Sequence, residues 1–166
     1  MIRYSITTEQ RKKELSQLFW FFYKRWVIFS CVTFVAALYF FIVCSPTDAE
    51  AFSCGLPLAI FTAFWWCVIP LGYYTVCKAP HTAFVRMSKD GKIDFSMRIE
   101  GDTIHFTNET AEQNFEKPLD QIQRIVAHKD IYILFFRTPK SYMLVSKNEQ
   151  ITALFTEHLS SKTEED

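Results

Sequence analysis

Glycine is scarce in this chain, with 4 in 166 residues, and proline adds only 6. That combination rules out a collagen-like repeat and a low-complexity, disordered chain. Net charge is also missing, since 18 Lys and Arg balance 18 Asp and Glu. The overall basic bias of a nucleic-acid binder is therefore absent. Most telling is a local shortage: no Asp, Glu, Lys or Arg occurs from Trp26 to Thr47 or from Ala51 to Cys77. No GxGxxG, GxxxxGK[ST], GxSxG or HExxH pattern is present, and no CxxC. The reading is therefore of a protein that is not an enzyme and uses no cofactor or metal.

What the chain has is apolar bulk, with 49% hydrophobic residues and 17 Phe. About 20 apolar residues at 1.5 Å each cross a hydrocarbon core of roughly 30 Å, and a helix satisfies its own backbone polar groups there. Trp26 to Val43 and Phe52 to Val76 both meet that length. A buried helix of a soluble core is the competing explanation, but such a helix usually keeps a polar face. The expectation is a two-span hairpin over residues 26–77.

Basic residues at the span ends set its orientation. Lys12, Lys13, Lys24 and Arg25 precede the first span and Lys78, Arg86 and Lys89 follow the second, whereas the connector Cys44 to Ala51 carries only Asp48 and Glu50. Both termini are thus expected in the cytoplasm, in a multi-pass protein of the cytoplasmic membrane with membrane lipid as a partner. Lys12, Lys13, Lys24 and Arg25 would meet anionic headgroups, and Trp20 and Trp26 would sit in the interfacial belt.

Residues 1–25 read as a basic amphipathic segment. Thr7-x-x-Gln10 has the form of a capping box, and Leu15, Leu18, Phe19 and Phe22 make one apolar stripe. That stripe faces either lipid or the soluble domain. Inside the second span, Trp65 and Trp66 stand far from either interface, among Pro57, Pro70, Gly55 and Gly72. One explanation is a contact face toward a protein partner or a second copy; the other is aromatic packing on the first span. Cys44 and Cys54 fall near the outer face, where an oxidising compartment permits a disulfide, the alternative being small apolar fillers.

From Lys78 onward charge returns with acids slightly in excess, which argues against nucleic-acid binding. Lys92 to Glu100 alternates, Gly101-Asp102 turns, and Ile104 to Phe106 returns. Ile122 to Ala127, Ile131 to Phe136 and Tyr142 to Val145 read as further strands. Ile151, Leu154, Phe155 and Leu159 then mark a helix. Residues 78–160 are therefore expected to form a small α+β domain, an antiparallel sheet with a C-terminal helix, able to fold without the spans. Residues 161–166 read as an acidic tail, frayed from Lys162.

The segment Lys117 to Thr152 resembles the YcxB-like family of small, mostly bacterial membrane proteins. Ile122, Asp130, Tyr132, Leu134 and Tyr142 to Val145 match its pattern in type and spacing, Leu119 stands where a tryptophan is usual, and Ser146-Lys147 replaces a proline-basic pair. The resemblance implies a PH-like cytoplasmic domain and brings no catalytic signature. The resulting expectation is a non-enzymatic, membrane-anchored protein-interaction module, binding a protein partner or itself. A second reading is an immunity protein against a membrane-acting toxin, because a small helical hairpin suits occlusion of a pore-forming segment.

Overall fold

The computed structural model describes residues 1–44, 49–159 and 162–165. They divide into two compact units: residues 1–17 with 80–166, and residues 18–79. The first is built on β-strands, beginning with β1 (Ile2–Thr7), which precedes the helix opened at Thr7-x-x-Gln10 and is a strand that the reading of residues 1–25 as a basic amphipathic segment does not contain. Ile2, Tyr4 and Ile6 alternate with the exposed Arg3 and Ser5, which is the period of a strand with one buried face.

β1 pairs antiparallel with β2 (Lys92–Glu100), from Ile2 opposite Met97 to Thr7 opposite Lys92. Most of the described residues between those two strands are helical. α1 (Thr8–Tyr39) comes first, and a π-helical turn over Phe40–Cys44 follows. α2 (Ala49–Tyr73), a second π-helical turn over Tyr74–Lys78 and α3 (Ala79–Met87) bring the chain back. The apolar hairpin is thus inserted into the sheet unit between its first two strands.

The sheet unit holds two sheets of four strands each, in the orders β1-β2-β3-β4 and β7-β6-β5-β8. β3 (Thr103–Asn108) returns from β2 through Gly101-Asp102, as expected, with Gly101 at φ +56°, a value that suits a residue without a side chain. β4 (Gln113–Pro118) was not foreseen, because Gln-Asn-Phe-Glu-Lys-Pro has one large apolar residue and no alternation to read. β5 (Ile122–His128), β6 (Ile131–Phe136) and β7 (Ser141–Ser146) follow the expected meander. α4 (Glu149–Leu159) buries Ile151, Phe155 and Leu159, three of the four residues of its predicted stripe. Asn148 caps it, its Oδ1 accepting from the Ile151 backbone N–H at 2.8 Å.

The tail differs from expectation. Residues 163–165 form β8, parallel to β5 with Ile125 opposite Thr163, and Lys162 Nζ donates to the Leu119 carbonyl at 2.6 Å. An open strand edge offers backbone partners that a solvated tail lacks, and no side-chain periodicity is needed to exploit it.

The main core lies between the two sheets and α4. It joins Met97, Ile104 and Phe106 with Ile125, Leu134 and Phe136, and with Ile151 and Phe155. Phe115 meets Phe136 edge-on across the two sheets at 6.1 Å. On the opposite face of the second sheet, Val126, Ile131 and Ile133 are also buried. A smaller cluster, Ile6, Phe84 and Ile93, ties α3 to β1 and β2.

The helical unit is organised differently. Among the described residues two helices are long and apolar enough to cross a membrane, Thr8–Ile42 and Gly55–Met87, and only 17% of an apolar 18-residue stretch of each is buried. A core helix of a soluble protein would be mostly covered. Apart from Leu18 and Phe19 at the start of the helical unit, the buried positions among its described residues are small: Ser30, Thr33 and Ala37 on α1, Gly55, Thr62 and Gly72 on α2, and Cys77. Small side chains let two helix backbones approach closely, which is how helices associate when the surroundings are as apolar as they are. A β-carbon on Gly72 would run into the Tyr23 ring, and one on Gly55 would come within 3.2 Å of Phe40 and Phe41.

Candidate functional site

Two polar clusters stand out, one inside each unit. The first fastens the start of α1 to the second sheet. Thr7 caps the helix, its Oγ1 accepting from the Gln10 N–H at 3.2 Å. The Thr8 N–H and hydroxyl both donate to the Gly91 carbonyl, at 3.0 and 2.9 Å. Gln10 does not reach back to complete a capping box; its Nε2 donates instead to Glu14 at 3.3 Å. Glu14 is 1% exposed. Its carboxylate also accepts from Ser146 Oγ at 2.5 Å and pairs with Arg11 at 3.3 Å.

One turn on, Gln17 Nε2 donates to the Asp130 carboxylate at 2.9 Å and Gln17 Oε1 accepts from the Asp130 N–H at 3.3 Å. Lys13 Nζ lies 2.7 Å from the same carboxylate. Hydrogen bonds from Lys13 and then Gln17 hold the Asp130 carboxyl below its ordinary range. The first turns of α1 are thereby pinned to the β5–β6 turn and to the end of β7, and Leu15 is buried with them.

Sequence reasoning overlooked this clasp. A glutamate inside a basic amphipathic segment reads as one more solvated charge, and Ser146 lies 132 residues away. A weak signal was present, since Glu14 shares a helix face with Gln10 and Leu18, four residues away on either side, rather than with Lys12 and Lys13.

The second cluster lies in the seam of the helical hairpin. Thr62 Oγ1 is 3.1 Å from Thr33 Oγ1 and 2.8 Å from the Leu58 carbonyl, while Thr33 donates to the Ser30 carbonyl at 3.0 Å. Trp65, one turn from Thr62, stacks on Trp26 with centroids 4.3 Å apart and planes 14° from parallel. The buried Ser30 hydroxyl and the Trp65 indole N–H have no hydrogen-bond partner among the described residues.

Trp65 and Trp66 therefore separate. Trp65 is half-buried against the first helix, whereas Trp66 touches Phe34 at 5.1 Å and stays 56% exposed. Lys12, Lys24 and Arg25 are exposed, and Trp20 and Trp26 are each 45% exposed. Lys13 is also exposed but spends its charge on Asp130. The side chains of Cys44 and Cys54 lie outside the described residues. Among the described residues no group of three or more His, Cys, Asp or Glu side chains converges as a metal set would.

In comparison with known proteins, no family model, no curated protein and no solved structure matches the chain.

Proposed function

We propose that this chain is a multi-pass protein of the cytoplasmic membrane, of the YcxB-like kind, whose PH-like domain acts at the inner face as a non-enzymatic protein-interaction module. The observation that carries this reading is the pairing of β1 with β2 across the whole apolar hairpin. A helical excursion that leaves one strand and returns to its neighbour has both ends on the same side. It therefore fits two spans with a short outer connector, independently of charge. The distribution of Lys and Arg supports placing that side in the cytoplasm. The apolar, exposed outer surface of both helices supports lipid as their surroundings.

Two four-stranded sheets closed by a C-terminal helix support a PH-like domain. Such a sandwich presents strand edges and helix grooves, surfaces that recognise extended peptides. A protein partner or a second copy of the chain is the expected ligand, with lipid touching the hairpin. The test is made in native membranes. Single cysteines at Lys12 and Glu157 should be labelled only from the inner side, and a photo-crosslinker on the sheet domain should give a discrete heavier species. Labelling from outside would overturn the anchoring, and the absence of any adduct from positions spread over the domain would overturn the interaction role.

A further inference from the structure

Of the four sheet edges in the β-rich unit, three carry features that discourage strand addition. β1 presents Arg3, paired with Glu109 at 3.1 Å. β4 carries Glu116 and Lys117 and ends in Pro118. β8 is three residues long and two of them are glutamates. Charges, prolines and short length are the usual ways of blunting an edge. β7 has none of them: its sequence is Ser-Tyr-Met-Leu-Val-Ser, it borders the second sheet with β6 as its one strand neighbour, and Ser141 to Leu144 are exposed or half-exposed.

The register fixes which backbone groups face outward. The Lys147 N–H donates to the Asp130 carbonyl at 2.8 Å, so the hydrogen-bonded pairs with β6 continue at Val145–Tyr132 and Met143–Leu134. Alternation then turns the Leu144 backbone N–H and carbonyl toward the open edge. Apolar side chains rise on both faces there, Met143 on the core side and Leu144 on the other.

We infer that β7 is a docking edge for an extended apolar peptide segment that adds as an antiparallel strand and is followed by acidic residues. The assignment rests on the interaction reading above and names its surface. Charge decides the occupant. Arg137 and Lys140 are exposed in the turn that leads into β7. An antiparallel added strand ends beside that turn, so acidic residues after its apolar run meet two cations. A second copy pairing antiparallel with β7 through Leu144 would bring Lys147, which follows its Ser146, opposite Ser141 and so toward that same cationic turn. At the other end Glu149 stands near Lys147, so the acidic preference belongs to one end only.

The test uses the full chain in nanodiscs and two labelled probes, Thr-Val-Thr-Ile-Thr-Val-Glu-Glu and the same peptide ending in Lys-Lys. The acidic probe should bind about fivefold tighter at low salt, the scale of one or two exposed charge pairs. It should also slow hydrogen exchange at Leu144 while leaving β4 unchanged. Lys140→Glu, a surface change in a turn, should reverse the preference between the two probes, and Leu144→Lys should weaken both.

Equal binding of the two probes, or no binding by a protein whose β2 and β3 amides are protected, overturns the assignment to β7. Protection at β4 or along α4 instead would overturn the β7 edge while leaving the interaction reading standing. Slow exchange at Leu144 that rises with protein concentration and needs no peptide would overturn the acidic-peptide occupant in favour of a second copy. Failure of the crosslinking test together with failure of both probes would remove the interaction reading itself.

Discussion

In the sheet unit Ile93, Ile104, Ile125, Ile131 and Leu134 are 0% exposed, whereas in the hairpin Val32, Val35, Ile60, Phe64 and Leu71 remain 58–65% exposed. Both regions are rich in large apolar side chains, and they dispose of them in opposite ways. In water the free energy comes from removing such surface, so the sheets, α1 and α4 close over it. The hairpin turns its large residues outward and keeps small ones, with two threonine hydroxyls, for its seam; on the proposed reading it stands in hydrocarbon, where there is nothing to gain by hiding a valine. Burial is a response to the solvent, and that reading accounts for inverse patterns in two regions of similar composition.

The largest test of this contrast removes the part of the sheet unit that precedes the hairpin in sequence. A fragment of residues 80–166 leaves β2 without β1 and Ser146 without Glu14. It should aggregate or melt without cooperativity, and appending residues 1–17 through a flexible linker should restore a soluble, cooperative domain. Circular dichroism and thermal melting of the two fragments decide it. A cooperative melt of 80–166 alone would mean that β1 is dispensable.

The next test compares burial directly. Leu134→Ala should cost the sheet unit about 2–5 kcal/mol, the range for emptying a filled core site. Val35→Ala should change the stability of the hairpin by less than about 0.5 kcal/mol. Denaturant-dependent hydrogen exchange of full-length protein in nanodiscs measures both, and equal losses would erase the distinction drawn here.

Hydroxyls sharpen it further. Ser146→Ala deprives a buried carboxylate of a hydrogen bond and should cost about 1–3 kcal/mol. Thr62→Val removes the contact with Thr33 and should cost about 0.5–1 kcal/mol, because polar contacts within lipid are worth little more than that on average. A larger loss at Thr62 than at Ser146 would reverse the ranking.

The smallest effect is electrostatic. Asp130 is held below the unfolded value of 3.8 by Lys13 and Gln17, so its ionised form stabilises the native state. That contribution is present above the unfolded value and is lost as pH falls through the lower folded one. The Asp130 side chain is 56% exposed, and Asp130→Asn should therefore cost only about 0.2–1 kcal/mol at neutral pH. The gap between the variant and the parent in melting temperature should close below the folded value, and a gap that widens in acid would contradict the assigned sign.

Legibility followed the range of the interaction. The apolar helices, the β2–β3 hairpin, the β5–β6–β7 meander and α4 were all visible, because periodicity and turn chemistry are local properties. β4 and β8 were missed, since each is polar and pairs only because a neighbouring edge is available. β1 was hidden for a different reason: its alternation is plain, but its partner lies beyond the hairpin. The clasp was illegible too, since Glu14 and Ser146 carry no mark of each other. For the tryptophans, the sequence left both explanations open; the structure stacks Trp65 on Trp26 and leaves Trp66 exposed.

By itself, then, the sequence determined two long helices with uncharged apolar runs, an antiparallel sheet with a terminal helix, and the imbalance of Lys and Arg around those runs. Each follows from side-chain chemistry repeated over a few residues. Tertiary structure alone decided that the hairpin is inserted between β1 and β2, that a buried glutamate ties α1 to the second sheet, and that β7 is left as the uncharged edge. These depend on which distant segments meet, and the free energy of such a meeting resides in pairs of surfaces that no local stretch of sequence contains.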